Sequence, residues 1–308
     1  MKRFIKIFLL SILIAGFTFY FLSRPKLSPA IQIFPGITYS AEKIKSRYAD
    51  ETFLAVTATV DLTNNNLQII QPAPYQVPEK PKAHFKLQFA DFILEEKNLD
   101  IIINTTPFHG EIDNSKTHEI LSGFRGNKTD FTDWQGYPGR SVWSTEPIVT
   151  NGKATHIPTH SNLLWLDANN KAFISHITGN DLRSSLEHQK PYSIQNAFGY
   201  EVIHVKNKKP QPIFLRPEFQ KDRIRKRTFI GINKASNQLF LMAFENITTR
   251  DMIDYAITKG VEIGGQLDSG NSTSLLFGKR VTHIFPHSGI RGLRPIAGYL
   301  GIRIKDHK

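Results

Sequence analysis

Asp268 lies in the run Leu267-Asp268-Ser269-Gly270-Asn271-Ser272-Thr273, directly after the strand-like stretch Val261–Leu267. A strand that ends in Asp and is followed by small residues sets a carboxylate at a sheet rim. Ser269, Gly270 and Asn271 leave main-chain N–H groups open toward an anion such as a phosphate oxygen, and Ser272 and Thr273 add hydroxyl donors. The same residues also suit a tight turn in which Asp268 caps the backbone. Residue types alone leave both readings open.

Other chemistry-bearing residues are scattered. His109, Glu111 and Asp113 follow the apolar strand Asp100–Ile103 closely. They have the types of an acid/base set or of metal ligands, although a lone His is more often structural. His283 and His287 are four apart, but Pro286 between them argues against one helical metal-binding face. Asp130, Asp133 and Trp134 lie in a Gly-, Asp-, Asn- and Thr-rich stretch from Asn104 to about Gly139; Trp134 suits stacking on a sugar or anchoring the loop. No calcium-loop spacing is present. No cofactor is expected, and a divalent metal on Asp or Asn oxygens stays open. Cysteine is absent, which removes disulfides, thiolate nucleophiles and Cys-ligated zinc.

The elements that must position these residues read as α+β: short, mostly antiparallel strands in mixed sheets, with two or three helices. Phe53–Val60 and Leu67–Ile70 are strand-like around an Asn-rich turn, and Pro72–Pro81 is an extended loop. Phe85, Phe89, Phe92 and Ile93 recur at helical spacing, predicting a helix over Phe85–Lys97. Further strands are expected around Ser141–Val149, Leu163–Leu166, Ala172–Ile177 and Tyr200–Val205. Phe229–Ile232 and Gln238–Ala243 read as a hairpin pair. A helix then starts at the N-cap Thr248, with Asp251 three residues on, and ends at Gly260. Ser274–Phe277 and Tyr299–Ile304 complete the strands.

The 308 residues suffice for a substantial core. The formal net charge of +12 includes basic runs at Lys206–Lys209 and Lys221–Arg227. It implies either a solvated basic surface or an anionic partner, and no nucleic-acid motif accompanies it. Lys2, Arg3 and Lys6 precede an apolar run that ends at Leu22, followed by Arg24 and Lys26. This pattern predicts a signal anchor or signal peptide over 1–24, with membrane contact through residues 4–22. Bulky aromatics near the end of the run favour an uncleaved anchor and an extracytoplasmic chain; cleavage would make the protein secreted. Residues 25–49 read as a linker and first strand, and 50–308 as the main domain.

Several ordered segments resemble the phosphodiester glycosidase family, the group of N-acetylglucosamine-1-phosphodiester alpha-N-acetylglucosaminidase. They are Arg227-Thr228-Phe229-Ile230-Gly231-Ile232, the helix after it, Gly264-Gly265-Gln266-Leu267-Asp268-Ser269-Gly270-Asn271-Ser272-Thr273, Ile103–Phe108, Asn196-Ala197-Phe198-Gly199 and Arg294-Pro295-Ile296-Ala297. Ser269 and Asn271 stand where the family loop carries glycines, and Ala243–Asn246 where relatives often carry Asp-Gly. The resemblance implies cleavage of a sugar–phosphate diester at the anomeric carbon. It makes Asp268 the carboxylate near C1, Asn104 a holder of sugar or water, and Arg227 the phosphate ligand through its forked guanidinium. Thr228, Gly270, Ser272, Thr273, Asn196 and His109 would complete the binding site. The implied partner is a phosphate-containing glycan of the cell envelope or an exopolysaccharide. The altered loop also suits a non-catalytic protein that binds anionic glycan, and a sugar-phosphate transferase is a third reading.

Overall fold

The computed structural model describes residues 30–73, 85–110, 141–144, 146–188, 192–200, 202–212, 222–282 and 289–305. In chain order the strands are β1 (Ile31–Phe34), β2 (Ile37–Lys45), β3 (Thr52–Asp61), β4 (Leu67–Ile70) and β5 (Phe85–Lys86). Helix α1 (Ala90–Glu96) precedes β6 (Ile101–Asn104), β7 (Phe108–Gly110), β8 (Ser141–Ser144), β9 (Ile148–Thr150) and β10 (Lys153–Ala154). Then come β11 (His160–Leu166), β12 (Ala172–Thr178), α2 (Gly179–His188), β13 (Asn196–Gly199), β14 (Val202–Lys206) and β15 (Lys209–Pro210). The hairpin β16 (Arg225–Asn233) and β17 (Gln238–Ile247) leads into α3 (Thr249–Thr258), β18 (Ile263–Gln266), a 3-10 turn (Gly270–Ser272), β19 (Leu275–Phe277), the single-turn α4 (Lys279–Thr282) and β20 (Tyr299–Ile304).

An eight-stranded sheet runs in the order β1-β2-β3-β17-β16-β18-β14-β15. A five-stranded sheet (β10-β9-β13-β11-β12) and a four-stranded sheet (β19-β6-β20-β4) pack against it, with a small sheet β5-β8-β7 beside them. The central core joins the three larger sheets. Val56, Ala58, Ile230, Ile232 and Leu241 come from the first, Leu164 and Phe198 from the second, and Ile101, Ile103 and Leu300 from the third. The other face of the large sheet is covered by α3, where Phe229, Met242 and Phe244 meet Met252, Tyr255 and Ala256. Because strand side chains alternate, both faces of β16 and β17 are apolar, and these strands read as continuous hydrophobic runs.

α3 begins as expected. The Thr248 hydroxyl accepts the Asp251 amide at 3.0 Å, satisfying one of the orphan donors of the first turn. Gly265 has a packing reason: a Cβ there would come within 2.1 Å of the Val202 carbonyl on β14. Only glycine lets β14 and β18 approach so closely.

Several expectations are revised. The predicted helix over Phe85–Lys97 is confined to Ala90–Glu96. Phe85 instead belongs to β5 and pairs with Val142, and Phe92 is 61% exposed, so the aromatic spacing overstated the helix. The strand expected over Ser141–Val149 is two strands, with Pro147 in the break. The stretch Tyr200–Val205 opens with the end of one connection, and its strand starts at Val202. Helix α2 was not expected: its apolar positions, Leu182 and Leu186, are few and set among polar residues. β1 and β2, within the stretch 25–49 read as a linker and first strand, are hydrogen-bonded members of the large sheet. The expected anchor through residues 4–22 and the candidate residues Glu111, Asp113, Asp130, Asp133, Trp134, His283 and His287 lie outside the described residues. Among the described residues no helix is long and apolar enough to cross a membrane.

Candidate functional site

Three chain segments converge at the ends of β6 and β18 and the first half of β16. Asn104 closes β6 and is buried. Its Nδ2 donates to the Asp268 carbonyl at 2.7 Å. Its Oδ1 accepts the Thr228 hydroxyl and the Ser274 amide, each at 2.8 Å. The side chain therefore clamps the strand ends that carry the loop. Beside it the Asp268 amide donates to the Thr105 carbonyl at 2.9 Å.

The loop after Asp268 folds into its 3-10 turn around Gly270, whose φ of +72° is one that L side chains rarely adopt. Ser269 needs no such freedom, since its backbone is extended at φ −128°. Its hydroxyl donates to the Leu267 carbonyl at 2.9 Å and accepts the Thr228 amide at 3.3 Å. Asn271 acts through its main chain: its carbonyl accepts the Leu293 and Arg294 amides at 2.8 and 3.2 Å. The Ser274 hydroxyl donates to the Ser272 carbonyl and accepts the Gly292 amide, both at 3.1 Å. The Asp268 loop and the segment leading to β20 are thus laced together.

That lacing delivers Arg294 to Asp268. One guanidinium nitrogen, Nη2, reaches both carboxylate oxygens at 3.1 and 3.0 Å. Nε donates to the Ser272 hydroxyl, and the guanidinium lies 5.2 Å over the Phe108 ring of β7, a cation–π arrangement. The Asp268 side chain is 12% exposed and that of Arg294 28%. Burial pushes the Asp268 carboxyl above its ordinary value. The Arg294 charge and the hydrogen bonds from Ser272 and the Ser269 amide pull the other way, and burial wins. In the segments that follow β6 and the 3-10 turn, the hydroxyls of Thr105, Thr106 and Thr273 are buried without a hydrogen-bond partner among the described residues.

Asp268, Asn104, Thr228, Gly270, Ser272 and Thr273 are therefore brought together. Arg227 is not. Along β16 Thr228 shares the central-core face with Ile230 and Ile232, so Arg227 points with Phe229 to the α3 face. There its guanidinium donates to Gln266 Oε1 at 2.8 Å, the Arg223 carbonyl at 2.9 Å, and Asp222 Oδ1 and the Ile247 carbonyl at 3.3 Å each. Asn196 is also elsewhere: its side-chain oxygen meets the Asn151 amide at 3.4 Å, in the β9–β10 turn. His109 lies in β7 next to Phe108, and its side chain falls outside the described positions. Arg294, the cation on Asp268, was missed as a site residue. It was visible in the Arg294-Pro295 match, but nothing in the sequence distinguished it from Arg227. Among the described residues no three His, Asp or Glu side chains cluster as metal ligands.

Comparison with known proteins agrees with this architecture. No curated protein matches the chain. The zebrafish N-acetylglucosamine-1-phosphodiester alpha-N-acetylglucosaminidase catalytic domain, solved auto-inhibited by its pro-peptide, superposes with a TM-score of 0.58 at 13% identity, over 92% of this chain and 88% of that one. A hypothetical protein from Synechocystis gives a TM-score of 0.53 at 10% identity, covering 91% of this chain and 64% of that one. At such identities the likeness shows the fold alone. The sequence model of the phosphodiester glycosidases matches residues 127–303. That span is more than half of the chain and takes in Arg227, Asp268 and Arg294, and the chain belongs to the phosphodiester glycosidase family.

Proposed function

We propose that this protein is a glycosidase that hydrolyses sugar-1-phosphodiester linkages, with Asp268 supplying the carboxyl group at the sugar's C1. The observation that carries the reading is the Asp268–Arg294 pair at the strand ends, with Ser272 bonded to the same guanidinium. A carboxyl beside C1 and a forked cation for the departing phosphate are the two groups this cleavage requires. Arg294 takes the phosphate role that Arg227 cannot fill from the far side of β16. Asn104 is a positioning residue that fixes the Asp268 backbone.

The basic, apolar N-terminal run supports an exported and membrane-tethered protein. The natural substrate in that setting is a phosphate-containing glycan of the envelope or an exopolysaccharide, for which the net charge of +12 is suited. The test is release of free sugar from a synthetic sugar-1-phosphodiester. The wild-type protein should turn over, and Asp268→Asn should lose at least about a hundredfold, in line with the loss of an acid–base group, with its circular dichroism unchanged. Undiminished turnover in Asp268→Asn would sink the assignment. Saturable binding of the diester without turnover by wild type would favour a glycan-binding role.

A further inference from the structure

The hydrogen-bonding of Arg294 is lopsided. Its guanidinium can grip an anion with two parallel bonds only along an edge, either Nε with Nη2 or Nη1 with Nη2. Nη2 belongs to both edges, and it is the atom held by both oxygens of Asp268. Nε is engaged by Ser272. Nη1 donates no hydrogen bond among the described residues, and the side chain is 28% exposed. An incoming phosphodiester that takes the Nη1–Nη2 edge therefore shares Nη2, and with it the guanidinium charge, with Asp268.

The consequence for Asp268 follows from what surrounds it. The 3-10 turn offers the neutral Ser272 hydroxyl and the Ser269 amide, whereas the Asn104 amide of β6 goes to the Asp268 main-chain carbonyl and the Thr228 hydroxyl of β16 goes to Asn104 Oδ1. The segment before β20 offers Arg294, the one charge that bears on Asp268 among the described residues. With Arg294 shared with a bound phosphodiester, a buried carboxylate would lie beside a second anion with its one counter-charge divided. Burial and like charge both favour the protonated form.

We propose that docking of a phosphodiester on Arg294 divides the guanidinium between Asp268 and the anion and drives a proton from solvent onto the Asp268 carboxyl. Substrate binding then creates the proton donor. Resting on the glycosidase reading, the cycle balances. As the C1–O bond breaks, Asp268 gives its proton to the departing phosphate oxygen. Water adds its oxygen to C1 and returns a proton to Asp268.

The linkage is measurable without turnover, by titrating the full chain with dimethyl phosphate, a diester anion that does not itself titrate near neutral pH. Calorimetry in two buffers of different ionisation enthalpy reads the protons taken up. Wild type should take up a substantial fraction of one proton per anion at neutral pH. Asp268→Asn should bind dimethyl phosphate several-fold more tightly, with no uptake, because its neutral amide no longer competes for Arg294 as a charge. Arg294→Met should lose binding while keeping its circular dichroism. Binding by wild type without proton uptake, undiminished uptake in Asp268→Asn, or no binding by folded wild type would each overturn the proposal. An active glycosidase lacking the linkage would lose this inference alone, whereas linkage without sugar release would defeat only the hydrolytic reading.

Discussion

Replacing Arg227 with Met should unfold the protein more readily while leaving its anion site in place. The Arg227 side chain is 3% exposed. It donates to Gln266, to Asp222 and to the carbonyls of Arg223 and Ile247. Its loss would leave Gln266 Oε1 without that donor inside the sheet. Asp222 would lose its counter-ion but keep the Thr249 and Arg250 amides at 2.7 and 3.0 Å, which softens the penalty. Breaking a buried pair of this kind costs about 3–5 kcal/mol, and the two remaining amides put the expected cost toward the lower end. For a chain of this size that lowers the melting temperature by roughly 10 °C. Urea unfolding of the purified chain reads the stability, and titration with dimethyl phosphate reads the site. The reasoning fails if Arg227→Met abolishes anion binding with its unfolding midpoint unchanged, since Arg227 would then be the phosphate ligand and β16 would present it to the other face.

Two further perturbations test the neighbourhood. His204 is buried, and desolvation, followed by the Arg227 charge, lowers its pKa from 6.5 to about 4. Between those values the unfolded chain binds more protons than the folded one. Stability therefore falls as pH drops from 6.5 and levels off near 4, a loss on the order of 3 kcal/mol. His204→Gln should flatten that limb in acid unfolding, and an unchanged slope would remove His204 as its cause. Thr273→Val replaces a fully buried hydroxyl that lacks a partner with a methyl of the same shape. It should raise stability by about 1 kcal/mol, and a marked loss of stability would show that the hydroxyl is bonded in the resting fold.

The sequence made the loop at Asp268, the capped α3 and the β16–β17 hairpin legible because each has a local cause. Small residues follow a strand, Thr248 precedes Asp251 by three, and two apolar runs flank a polar turn. The choice between Arg227 and Arg294 had no local cause. Strand period alone puts Thr228 and Arg227 on opposite faces of β16, but Phe229 and Ile230 are both fully buried. Nothing in the pattern said which face looked toward Asp268. That depends on Asn104, whose amide bonds Thr228 from a strand distant in sequence. Arg294 reaches Asp268 through the Asn271 carbonyl and the Ser274 hydroxyl, contacts with no signature in residue type. Asn196 was placed by its motif, and its strand turns out to serve a different sheet.

The loop's departures from the glycines of its family bear on whether the site works. Ser269 occupies an extended conformation open to any residue. Its hydroxyl fills a place between the Leu267 carbonyl and the Thr228 amide, so it braces the strand ends rather than crowding the carboxylate. Asn271 turns its side chain outward and uses only its carbonyl to seat the Arg294 segment, a bond that glycine would make equally well. The position that does demand glycine, by its positive φ, is Gly270, and there the glycine is kept. Both substitutions therefore fall where the backbone tolerates a side chain, and both leave the approach of Arg294 to Asp268 intact. Loss of activity, if observed, would have to arise from substrate fit beyond this loop and not from a collapsed one.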